Sequence, residues 1–209
     1  MLPPTEYLLA FSIAALLLTI TPGLDTALVL RTAAVEGGRR ALQAGLGIAA
    51  GCLGWGLIAA AGLGALLAAS EAAYNVLRWI GALYLFYLGF KLLRAPAREF
   101  ASDLPRQGDS SQGWFWRGFL TNMLNPKVGV FYVSFLPQFI PLGTNVFASS
   151  TVLALIHAVL GIGWFVALIL ATRPISRVLR RPTVTQWLDR ITGLVFVGFG
   201  VRLLASHRH

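Results

Sequence analysis

The stretch TNMLNPKVGVFYV, residues 121–133, places Lys127 directly after an Asn-Pro pair inside a long apolar run. No acidic residue stands within ten positions of that lysine on either side. Proline removes an amide donor and clashes with the preceding turn, so a helix through this stretch must kink or break. What a lone cation does beside such a break depends on the solvent around it, and composition decides the solvent. Hydrophobic residues make up 56% of the 209-residue chain and charged residues 12%, whereas ordinary soluble domains carry about 25% charged residues. A water-soluble chain of this length could not hide so much apolar surface in one core. A lipid bilayer is the expected environment.

The net charge of +9 would favour nucleic acid as a partner in a soluble protein. Here the basic residues lie between apolar runs, as they do in the cytoplasmic loops of membrane proteins, so no nucleic-acid partner is expected. The single cysteine, Cys52, excludes an intramolecular disulfide or a paired-thiol relay and reads as small apolar filler. Two of the three histidines lie at the extreme C-terminus, and none has metal-ligand spacing. Neither a metal nor a cofactor is implied. No Lys or Arg precedes the first apolar run, which is also longer than the core of a signal peptide. It reads as a retained membrane span.

About 20 mostly apolar residues cross roughly 30 Å of hydrocarbon. Six stretches qualify, at about 6–30, 41–69, 73–93, 117–139, 146–171 and 187–205. All are expected to be helical, because barrel strands would be shorter and half polar. Thirteen Lys and Arg residues lie in or beside loops 31–40, 94–116 and 172–186, against Arg78, Arg202 and Arg208 on the other side. That asymmetry puts these loops in the cytoplasm and both termini outside. The segment PAREFASDLPRQGDSSQG, 96–113, reads as a flexible linker. It would join halves 1–95 and 114–209 of a single transporter domain spanning 1–209. Loop 173–186 reads either as a short interfacial amphipathic helix or as an irregular basic loop.

Three spans per half make the two halves enter the membrane in opposite senses. The breakers make an inverted repeat concrete. TITPGLDT (19–26) interrupts the first span and NMLNPKVG (122–129) the fourth, with Pro22 and Pro126 separated by 104 residues (126 − 22). The same offset carries 41–69 onto 145–173, over the fifth span. Matched Pro/Gly interruptions in two halves point to a transporter's binding site, since freed backbone is tolerated at membrane depth only against protein or a water-filled cavity.

Asp25 follows Pro22 by three residues and Lys127 follows Pro126 by one. Burying either charge alone would cost several kcal/mol, so the two are expected to face one cavity and partly neutralise each other. The alternative is that both lie near the membrane surface and snorkel. Thr21, Thr26, Asn122 and Asn125 add hydroxyl and amide groups around the two breaks. An amino acid matches this set: its carboxylate suits Lys127 and its ammonium suits Asp25 or freed carbonyls. Gly45, Gly47, Gly51, Gly54 and Gly56 form small-residue faces for close helix packing, which also leave room for a homodimer. His157 in the fifth span reads as a proton relay or as a packing histidine. Trp79, Tyr84, Trp114 and Trp116 read as interfacial anchors.

With TPGLDT (21–26), GGRRALQAGLGIAAG (37–51), YLFYLGFKLLR (84–94) and FLTNMLNPKVGVFYVSFLPQF (119–139), the sequence resembles the LysE/RhtB family of bacterial amino-acid exporters. The resemblance covers essentially the whole chain. It implies an all-α membrane protein of two inverted three-helix repeats, with helices one and four broken. It also implies a proton-driven secondary exporter of amino acids or their derivatives in the bacterial cytoplasmic membrane, and not an enzyme. Carried over, Thr21, Pro22, Gly23, Asp25 and Thr26 stand at the first break, and Asn122, Asn125, Pro126 and Lys127 at the second. Two positions depart: Leu24 stands where the family often has a second proline, and Trp55 stands about where many members have a histidine. A metal-ion exporter of the same fold would want clusters of Cys, His or carboxylates, and the spans supply little beyond Asp25, His157 and Cys52. A redox or catalytic protein would need paired cysteines or a nucleophile with its base, and neither is visible.

Overall fold

The computed structural model describes residues 3–69, 113–141 and 143–171, with separate positions between 76 and 94 and between 181 and 201. Among the described residues all regular structure is helical. Helix α1 runs Thr5–Ile20, α2 Leu24–Val35, α3 Gly38–Ala69, α4 Trp114–Met123, α5 Pro126–Val130 and α6 Val146–Leu170. A π-helical turn, Phe131–Phe135, and a 3-10 turn, Phe139 at its end and Leu136 at its start, follow α5.

Length and apolarity qualify Gly38–Gly62 of α3 and Val146–Leu170 as candidate membrane crossings, and α1 with α2, bent by 53° at their break, make a third if the pair is one broken span rather than a re-entrant loop. The break falls at Thr21–Gly23, where the sequence places Pro22. The fourth expected span is divided more finely: α4 stops at Met123, and Pro126 opens α5 as its first residue. The expected third and sixth spans, 73–93 and 187–205, lie largely outside the described residues. Those positions within them that are described are helical, and Gly89 packs against Gly193 and Val197. The linker 96–113, except Gly113, and most of loop 173–186 also lie outside.

The basic loop expected at 31–40 is a correction. Helix α2 continues to Val35 and α3 begins at Gly38, leaving a two-residue connection. Gly37, with φ 90°, makes that turn, a conformation that suits residues lacking Cβ. Arg31 thus lies on α2, while Arg39 and Arg40 lie on α3. Arg40 pairs with Glu36 at one helical turn's spacing.

Close packing of α3 explains its glycines. A Cβ on Gly47 would lie 1.8 Å from the Phe115 carbonyl oxygen, and one on Gly118 would lie 1.9 Å from that of Ala44. Helices α3 and α4 therefore touch backbone to backbone, as small residues permit in membranes. On another side Gly45 meets Phe165 and Gly56 meets Ala154, both on α6. These glycine faces are occupied within the chain. Gly62, further along α3, has open space where a Cβ would lie.

An aromatic core ties the break region to its neighbours. Phe131 stacks on Phe135 at 4.9 Å, Phe135 meets Phe139 at 5.0 Å, and Phe11 of α1 lies 5.6 Å from Phe131. Such ring pairs contribute beyond the area they bury. Opposite faces carry exposed apolar side chains, Val159 at 66% and Leu170 at 82% among them. These would be liabilities in water and are ordinary against lipid tails. Hydroxyls inside α1 bond back to the preceding turn: Ser12 donates to the Leu8 carbonyl and Thr19 to that of Ala15, so neither faces lipid unsatisfied.

Candidate functional site

The two breaks line one cavity of about 40 Å³. Thr21, Gly23, Asp25 and Thr26 come from the first break, Asn125 and Lys127 from the second, and His157 from α6. Helix α3 contributes Ile48, Ala49 and Cys52, and α6 adds Ala158, Gly161 and Phe165. Of the expected site residues, Pro22 is buried beside the cavity and Pro126 starts α5. Both shape backbone. Asn122, fully buried, stands behind Asp25.

Each proline orphans a carbonyl. In an unbroken helix the amide at position 22 would donate to the Leu18 oxygen, and that at 126 to the Asn122 oxygen; proline has no hydrogen to give. Lys127 serves the first break. Its Nζ donates to the Leu18 carbonyl at 3.4 Å and to the Thr21 carbonyl at 3.3 Å. The Thr21 hydroxyl donates to the Leu17 carbonyl at 2.6 Å. At the second break Asn125 caps α5, its Oδ1 accepting from the Lys127 amide at 3.1 Å. An Asn cap before a proline at the first helical position is a helix start written in sequence.

The carboxylate of Asp25 is held by an amide. Asn122 Nδ2 donates to Asp25 Oδ2 at 2.8 Å, while Asn122 Oδ1 is buried and finds no hydrogen-bond partner among the described residues. Charge complementarity between Asp25 and Lys127 therefore acts across the cavity, with each side chain anchored to the opposite break. Gly51 allows Asn122 this place, because a Cβ there would come within 2.6 Å of Asn122 Oδ1.

Two polar participants escape a reading by residue type. Cys52 Sγ accepts from Asn122 Nδ2 at 3.6 Å, so it is more than apolar filler. The Tyr132 hydroxyl shares a hydrogen bond of 3.0 Å with His157 Nδ1, and the two rings stack. Ile48, Ala49, Cys52 and Trp55 recur at one helical face, a periodicity that could have found Cys52. No such signal exists for Tyr132: the π-helical turn shifts the register. Among the described residues no three His, Cys, Asp or Glu side chains converge as metal ligands would.

Comparison with known proteins identifies the family. The chain is 32% identical to the uncharacterized membrane protein YrhP of Bacillus subtilis (strain 168), covering 93% of this chain and 97% of that one. It is 30% identical to a leucine efflux protein of Enterobacter sp. (strain 638), over 94% of each. A threonine efflux protein of Escherichia coli (strain K12) is also 30% identical, over 90% of this chain and 92% of its own. No solved structure matches. The family described as LysE type translocator matches residues 16–207. Nearly the whole chain, including both broken stretches, falls within that match, and the protein is a membrane transporter belonging to the LysE type translocator family.

Proposed function

We propose that the protein exports a small amino acid, or a derivative of one, across the bacterial cytoplasmic membrane by proton-coupled alternating access. The observation that carries this reading is the cavity lined by both breaks, with Asp25 from the first and Lys127 from the second. A zwitterion meets both needs: its carboxylate takes the Lys127 ammonium, which then leaves the Leu18 and Thr21 carbonyls it holds here, and its ammonium takes Asp25 or those freed carbonyls. Asp25 is the only acid among the described residues lining the cavity. A cationic side chain would find no second carboxylate among them, which argues against a cationic substrate side chain. The apolar wall of Ile48, Val128 and Phe165 suits an aliphatic one. Relatives named as leucine and threonine efflux proteins support this class.

About 40 Å³ holds a few water molecules, less than an amino acid needs. Loading therefore parts the walls, and the breaks are the natural hinges. We take the two halves, 1–95 and 114–209, as inverted three-span repeats that rock about the cavity. The basic loops face the cytoplasm and the termini face outward. Protonation of Asp25 releases the substrate ammonium and couples export to the proton gradient.

Proteoliposomes loaded with leucine or threonine test this directly. Substrate efflux should move protons, and Asp25→Asn should abolish the proton movement. Coupled efflux at the wild-type rate in that variant would remove Asp25 from the coupling role. Wild-type vesicles that move no amino acid at all would sink the export reading.

A further inference from the structure

The carbonyls that lose their helical donor to a proline lie at matched places: Leu18 and Asn122 are separated by the same 104 residues (122 − 18) as the two prolines. Lys127 serves the first, and the partner of the second is unexpected. The Trp55 indole Nε1 donates to the Asn122 carbonyl at 3.4 Å, beside the Asn125 amide at 3.0 Å. The ring is seated in a notch. A Cβ on Gly129 would lie 2.7 Å from Trp55 Cζ2 and 2.8 Å from Cη2, so a side chain there would displace the indole. Trp55 is half-buried and packs against the aromatic core.

We propose that Trp55 is a positioning residue for transport: its indole N–H replaces the donor that Pro126 lacks and thereby fixes Asn122. Asn122 in turn holds the Asp25 carboxylate. The chain of effect runs from the indole to the backbone at 122, then through the amide of the same residue to the coupling carboxylate. Each break is thus closed by a side chain from outside its own helix, Lys127 for the first and Trp55 for the second. The assignment to transport rests on the export reading above; the assignment to the break does not.

Three variants separate the donor from the ring. Trp55→Phe keeps an aromatic ring and loses the N–H, Trp55→His keeps a ring N–H, and Gly129→Ala fills the notch while leaving Trp55 chemically intact. Hydrogen–deuterium exchange of residues 122–130 in purified protein reads the break without any substrate. Amino-acid efflux from proteoliposomes, resolved into KM and maximal rate, reads its consequence. Trp55→Phe and Gly129→Ala should speed exchange there at least about threefold and slow efflux about tenfold, and Trp55→His should recover most of both. Wild-type exchange in Trp55→Phe would overturn the proposal, as would a Trp55→His protein as impaired as Trp55→Phe. If the wild-type protein moved no amino acid, the export reading would fall and the exchange comparison would still decide the place of Trp55.

Discussion

At the scale of single residues, Lys127 and Asp25 are understood through the atoms they serve rather than through each other. The ammonium holds carbonyls of the first break and the carboxylate is held by an amide of the second. Both are half-buried, and removing one charge leaves the other inside an apolar segment without its complement, which is costly. Lys127→Met is therefore expected to lose about 1–3 kcal/mol of stability, part of it from two carbonyls deprived of that donor. Adding Asp25→Asn should recover stability and leave transport dead. Thermal melts in detergent of both singles and the double make the cycle, and strictly additive effects would show that the two charges do not communicate. Tyr132→Phe removes the hydroxyl that meets His157 Nδ1. A loss of about 1 kcal/mol is expected, and an unchanged melt would mean the bond contributes nothing.

Elements meet where side chains are smallest. The contact of α3 with α4 has backbone carbonyls where Cβ atoms would be, at Gly47 and Gly118. Neither carbonyl can yield without separating the helices. Gly47→Ala and Gly118→Ala should each cost about 3 kcal/mol or more, the upper range for overpacking. Gly62 has open space around its Cα, so Gly62→Ala should be neutral or stabilise by up to about 1 kcal/mol through helix propensity. The same thermal melt reads all three, and equal effects would contradict the packing account. The glycine spacing announced close packing but not its partners. The same spacing serves a neighbour in the chain or a second copy, and only the placed helices show which.

For the whole molecule, the proposed orientation rests on the distribution of Lys and Arg. A cysteine introduced by Ser110→Cys in the polar linker should react with an impermeant maleimide only after cells are permeabilised. Native Cys52 is 5% exposed and will not compete. Labelling in intact cells would invert the proposed topology. The sequence by itself determined the solvent, through the ratio of apolar to charged residues, and the two breaks, through Pro22 and Pro126, because proline acts on its own helix. It also marked Asp25 and Lys127, since isolated charges in apolar runs have few readings. Tertiary structure alone decided that the breaks share a cavity, that Lys127 caps Leu18, and that Trp55 caps Asn122. Those contacts join residues 109 and 67 positions apart. A hydrogen bond over such a separation is set by how helices pack in space, which local propensity and spacing do not encode.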